Sequence, residues 1–110
     1  MRLLRLATLL VAALLAAAAW AQELPLFKLT AKDGKFDPAV LEVPAGKRFR
    51  IEVTNAGGKA IEFESKDLKQ EKVIPPGGKA TVNVSPLKAG EYTFFDEFQQ
   101  ATATGKVVAK

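Results

Sequence analysis

"PLKAGEYTFFDEFQQATATGKVV", Pro86 to Val108, decides the fold. Leu87 and Gly90 precede a tyrosine that opens a strand in which Tyr92, Phe94 and Asp96 alternate with Thr93 and Phe95. This is the pattern of a tyrosine corner in a Greek-key sandwich, where the ring enters the core and the hydroxyl bonds back to the backbone of the preceding loop. An ordinary core tyrosine is the other reading, and both place Tyr92 inside. The same parity turns Asp96 inward at the end of the strand. A carboxylate there must be hydrogen-bonded, paired with a lysine, bound to metal or protonated.

Outward from this stretch the chain keeps a period of two. Leu41 and Val43 flank Glu42; Phe49, Ile51 and Val53 alternate with Arg50, Glu52 and Thr54; Ala80, Val82 and Val84 alternate with Thr81, Asn83 and Ser85. Each set defines the buried face of a strand. Phe27, Leu29 and Ala31 suggest a first strand with Phe36 as a further core residue, and Val107 and Val108 fit a last one. Turn signals separate these runs at Asp33-Gly34, Pro44-Ala45-Gly46, Gly57-Gly58, Pro75 to Gly78, Ala89-Gly90 and Gly105. Short alternating segments in that rhythm predict an all-β sandwich. Ser65 to Val73 is read either as a helical turn capped by Ser65 with Leu68 inward, or as a polar loop.

The N-terminus reads differently. Arg2 and Arg5 precede the apolar run "LATLLVAALLAAAA", and Ala19-Trp20-Ala21 offers the small residues that a signal peptidase requires. The run falls short of the ~20 residues that span a bilayer. Residues 1–21 are therefore expected to be a cleaved signal peptide, and residues 22–110 a single secreted or periplasmic domain with no membrane span. Loss of Arg2 and Arg5 reduces 16 basic residues to 14 against 12 acidic ones. With lysines interspersed among acids, that near balance argues against nucleic acid as a partner.

The chain has no Cys and no His. Disulfide staples, nucleophile–histidine triads and zinc sites built on those ligands are excluded by composition, and no enzyme activity is expected.

Three pieces, "GKFDPAVLEVPAGKRFRIEVTNAG", "EFESKDLKQEKVIPPGGKATVNVSPLKAGEYTFF" and "DEFQQATATGKVV", together resemble the cupredoxin-like domains of the EfeO type, found in periplasmic iron-uptake proteins and in small secreted relatives beside iron permeases. The resemblance covers about residues 27 to 109 and implies a Greek-key cupredoxin-like β-sandwich. In blue-copper members of the wider superfamily the strand after the tyrosine corner ends in a Cys, followed by a loop with His and often Met. Here the Cys position falls on Asp96, the loop reads Glu97 to Thr104, and the segment for the other His, after Asn55, reads Gly57 to Ile61. A blue-copper site needs a thiolate and imidazoles, so no blue-copper centre is expected.

Carboxylates are what remain. Oxygen donors suit hard cations such as ferric iron, or Cu(II) in a weak site. The resemblance implies that such domains handle iron or copper through acidic residues, and it matches at Glu62, Glu64, Glu71, Asp96 and Glu97, with Gln99 where many relatives carry His. The expected roles are Asp96 as central ligand, Glu64 and Glu71 as partners, and Glu62 and Glu97 as outer candidates. Because Glu62 and Glu64 flank Phe63, they are equally readable as the solvated face of a strand. The implied function is weak metal binding in iron or copper uptake, with a membrane permease or periplasmic uptake protein as partner. The alternative is a metal-free module that docks a protein through Phe95, Phe98 and the acids.

Overall fold

A computed structural model describes residues 24–110, so the expected signal peptide lies outside the described residues. Nine strands run in chain order: β1 (Leu26–Lys32), β2 (Lys35–Asp37), β3 (Val40–Val43), β4 (Phe49–Asn55), β5 (Ile61–Ser65), β6 (Gln70–Ile74), β7 (Lys79–Val84), β8 (Gly90–Asp96) and β9 (Thr104–Ala109). A short 3-10 helix, Glu97–Gln99, follows β8. One sheet has the order β2-β1-β4-β7 and the other β3-β9-β8-β5-β6. The chain crosses between sheets after β2, β3, β4, β6 and β7, which makes the all-β sandwich expected from the turn rhythm. Parallel pairing is confined to β1 with β4 and β3 with β9.

The period of two is what holds the sheets face to face. In β4 every second residue, Phe49 to Asn55, is buried, and β5 repeats the pattern at Ile61, Phe63 and Ser65. The β1–β2 hairpin closes on a two-residue turn in which Asp33 and Gly34 both have positive φ, 52° and 71°. Tight hairpins need that backbone, which Asp-Gly supplies. At the far end Tyr92 donates its hydroxyl to Lys88 O at 2.7 Å, the bond of a tyrosine corner, although the ring is half-buried rather than enclosed.

The segment after Ser65 departs in part from the sequence reading. Ser65 Oγ accepts from Leu68 N at 3.0 Å and Leu68 is buried, as the capped-turn reading had it. The turn, however, is only a link, and Gln70–Ile74 forms an edge strand paired with β5. An edge strand with Glu71, Lys72 and Val73 exposed carries no alternation in its sequence. Phe98 proves exposed and Phe95 half-buried on the outer face of its sheet, so neither joins the core.

The aromatic centre of the core is the trio Phe36, Phe63 and Phe94. Phe36 meets Phe94 edge-on at 5.3 Å and Phe63 at 6.2 Å, and Phe63 lies tilted 5.4 Å from Phe94. Gly105 sits opposite Phe94 in β9. A Cβ on Gly105 would fall 2.4 Å from Phe94 Cζ and 2.8 Å from the backbone oxygen of Ala39, so the ring occupies the space that any side chain needs. Gly105→Ala is expected to destabilise the fold by about 1–3 kcal/mol through overpacking, read as a lowered urea midpoint with an unchanged m-value.

Candidate functional site

The sequence-predicted acids fall on two faces of one sheet, because strand parity separates them. Asp96 shares the inward parity of Phe94 and is 1% exposed. Its Oδ1 accepts two backbone hydrogen bonds, from Glu62 N at 2.9 Å and from Phe98 N at 3.0 Å. The first ties the end of β8 to the start of β5. The second caps the 3-10 helix, the role for which a short carboxylate with extended backbone is suited. Asp96 N in turn donates to Ala103 O and Ala103 N to Gln99 O, both at 2.9 Å, closing the β8–β9 loop on itself.

Asp96 lines a cleft of about 490 Å³ at this end of the sandwich, between the β1–β2 hairpin, the β4–β5 loop and the β8–β9 loop. Asn55, also 1% exposed, holds the β4–β5 loop: its Nδ2 donates to Lys59 O at 2.7 Å and to Ile74 O at 3.0 Å, and its Oδ1 accepts from Gly57 N at 3.0 Å. Gln99 lays its amide against the hairpin turn, so close that a Cβ on Gly34 would lie 2.5 Å from Gln99 Oε1. Asn55 was a landmark in the sequence rather than a candidate. The signal was there in its parity, since it continues the buried series Phe49, Ile51, Val53.

The four glutamates lie on the outer side. Glu62 and Glu64 are half-buried and alternate with buried Ile61, Phe63 and Ser65. Across the strand pair Glu64 faces Glu71 and Glu62 faces Val73, while on the other side Glu64 faces Phe95. Glu97 follows Asp96 with opposite parity and reaches the same outer surface. The carboxyl of Glu62 is raised above its ordinary value, first by a hydrogen bond with Glu71, then by desolvation and by the charges of Glu71, Glu64 and Glu97. Glu64 is raised likewise, first by a hydrogen bond with Glu97, then by desolvation and the charges of Glu97 and Glu71, with Lys66 opposing. The structure thus brings together Glu62, Glu64, Glu71 and Glu97 and leaves Asp96 apart from them.

The pairing of these acids with one another contrasts with the rest of the surface. Among the described residues, the ion pairs are Glu52–Lys79, Glu91–Lys106 and Glu42–Lys110, none of which involves the quartet. Also among the described residues, no three acidic side chains are gathered closely enough to hold a metal ion as they stand. The quartet is two carboxyl pairs rather than a formed cage.

Comparison with known proteins agrees with this architecture. The model of the family described as the cupredoxin-like domain matches residues 5–109, and the chain belongs to that family. An uncharacterized protein of Rickettsia prowazekii is 41% identical over 81 residues, which are 74% of this chain; the chain spans 65% of that protein's length. Among solved structures, auracyanin A, a "blue" copper protein of Chloroflexus aurantiacus, superposes with a TM-score of 0.68 at 13% identity, over 80% of this chain and 100% of its own. The metal-binding domain of the Cu(I)-exporting P-type ATPase CopA of Streptococcus pneumoniae D39, solved with Cu(I), gives 0.69 at 15% identity over 77% and 84%. At such identities the likeness concerns the fold. The absence of Cys and His from the whole chain separates it from a thiolate–imidazole copper site.

Two outcomes test these assignments. Asp96→Ala removes the acceptor of two amides and is expected to cost about 2–4 kcal/mol, read by urea denaturation, with Asp96→Asn costing less because one carbonyl oxygen remains. For the quartet the sign is opposite. Carboxyls whose folded pKa is raised favour the folded state most when protonated, so their contribution is present below the unfolded value and is lost as pH rises through the folded one. Glu64→Gln is expected to raise the melting temperature at pH 7, and that gain should shrink as pH is lowered into the carboxylate range.

Proposed function

We propose that this chain is a secreted or periplasmic, non-enzymatic accessory of metal uptake, of the EfeO type, which holds ferric iron or Cu(II) weakly on carboxylates and yields it to a membrane permease. The observation that carries the reading is the pairing of Glu62 with Glu71 and of Glu64 with Glu97, each pair raising a carboxyl toward the protonated form. Where crowding makes a proton welcome, a hard cation is welcome too, because it neutralises the same charge and accepts the same oxygen lone pairs. Glu62, Glu64, Glu71 and Glu97 are the ligands in this reading. Asp96, the central ligand expected from the sequence, faces away from them, and its Oδ1 is already committed to two amides. In this reading Asp96 holds the β5 start and the 3-10 helix rather than the cation.

Weak binding follows from the same geometry. The four side chains leave two strands and a helical turn, and a cation must draw both pairs together, ordering flexible glutamates at a cost in side-chain entropy. Proton competition then couples release to acidification. The chain's own membership of the cupredoxin-like family supports a metal role by analogy, which fold alone does not establish.

A second reading has its own observation. Val73, opposite Glu62, is 60% exposed and Phe98, beside Glu97, is 54% exposed. Apolar side chains flanking uncompensated acids suit a docked protein that carries lysine or arginine. Calorimetric titration of the metal-free protein with Mn(II), Cu(II) and chelated Fe(III) separates the two. The metal reading expects saturable heat at pH 7, weakened roughly tenfold or more in Glu64→Gln/Glu71→Gln and lost near pH 4. Absence of saturation, or affinity untouched by the double substitution, overturns it in favour of docking.

A further inference from the structure

The cleft at the Asp96 end opens on the other side of β8 from the four glutamates and shares only Phe98, at its edge, with their face. Two of its lining residues, Asn55 and Asp96, are polar and each 1% exposed. Asn55 is satisfied by three hydrogen bonds. Asp96 is half satisfied. Both of its side-chain bonds end on Oδ1, and among the described residues Oδ2 accepts none and no lysine forms an ion pair with it. Nor is Oδ2 sealed: the enclosed, unpartnered side-chain atom among the described residues is Arg50 Nε, near the start of β4 and at the opposite end of that strand from Asn55. The free oxygen therefore looks onto the cleft, where it calls for a donor.

The rim is net positive, with three lysines against the single carboxylate of Asp33 in the hairpin turn. Lys32 and Lys35 from the β1–β2 hairpin and Lys59 from the β4–β5 loop line the same cleft and are exposed. Exposed Phe98 adds an apolar wall. A simple cation entering would pass three ammonium groups, and a simple anion would end against Asp96. A molecule with a donor cation at one end and an anion at the other satisfies both. The volume lies within the range of small-molecule sites, roughly 300–1,000 Å³.

We propose that this cleft binds a small zwitterion of the α-amino acid class, its ammonium donating to Asp96 Oδ2 and its carboxylate held by the lysine rim. Both contacts are charge-assisted, and each end discriminates against a molecule that lacks its partner.

The test is an NMR titration of the purified, ¹⁵N-labelled protein with three probes: L-leucine, isopentylamine, which lacks the carboxylate, and 4-methylpentanoate, which lacks the amine. Saturable shifts are expected with L-leucine at the amides of Gly57, Gly58, Phe98 and Gln99, with both truncated probes bound roughly tenfold or more weakly. Asp96→Asn should weaken L-leucine by a similar factor. Because that substitution also touches the fold, the exposed triple variant K32A/K35A/K59A carries the test independently and should lower affinity without altering the spectrum elsewhere. No saturation, equal binding of either truncated probe, or full affinity in the triple variant overturns the proposal. Glu64→Gln should leave L-leucine binding unchanged, so this result and that of the metal titration are separately readable.

Discussion

The pairing of β5 with β8 is the constraint on which both ends of the sheet depend. In register it is only two residues long, Phe63 with Asp96 and Glu64 with Phe95. Side chains extend it in both directions. Asp96 receives Glu62 N beyond one end; beyond the other, Ser65 Oγ donates to Thr93 O at 2.6 Å and Asp67 Oδ2 accepts from Thr93 N at 2.9 Å and from its hydroxyl at 3.1 Å. A ladder this short would otherwise leave backbone amides without a partner in the chain at the join. By fixing the register here, these contacts put Phe63 and Phe94 into the aromatic centre and turn Glu62, Glu64 and Phe95 outward.

The fold was legible in the sequence where one strand face is buried against the other sheet. Phe49 to Val53, Val82 and Val84, and Tyr92 to Asp96 announce their parity, and Asp33-Gly34 announces its turn. β6 was not legible, because an edge strand with little to bury obeys no alternation. Of the candidate site, the inward turn of Asp96 and the outward turn of its four companions both follow from counting by two. What counting cannot supply is the partner: that Asp96 meets amides from β5 and the 3-10 helix, or that Glu62 pairs with Glu71 rather than with a lysine, depends on register between strands distant in sequence.

The two surfaces so formed have different electrostatic logic. On the outer face like charges are crowded, which raises the carboxyls of Glu62 and Glu64, while the cleft sets one half-satisfied carboxylate beneath lysines that form no ion pair with it. Both use residue types that elsewhere on this chain form ordinary surface ion pairs, which contribute little. Their distinctiveness lies in which groups are left without an opposite charge.

Asn55 spends every polar atom of its side chain on holding the loop to Lys59 and the strand at Ile74. Together with Asp96 it ties the loops at this end of the sandwich by hydrogen bonds within the chain. Closure at this end is therefore written into the chain itself, and the loops that frame the cleft are held by bonds whose contribution to stability is set by their own donors and acceptors.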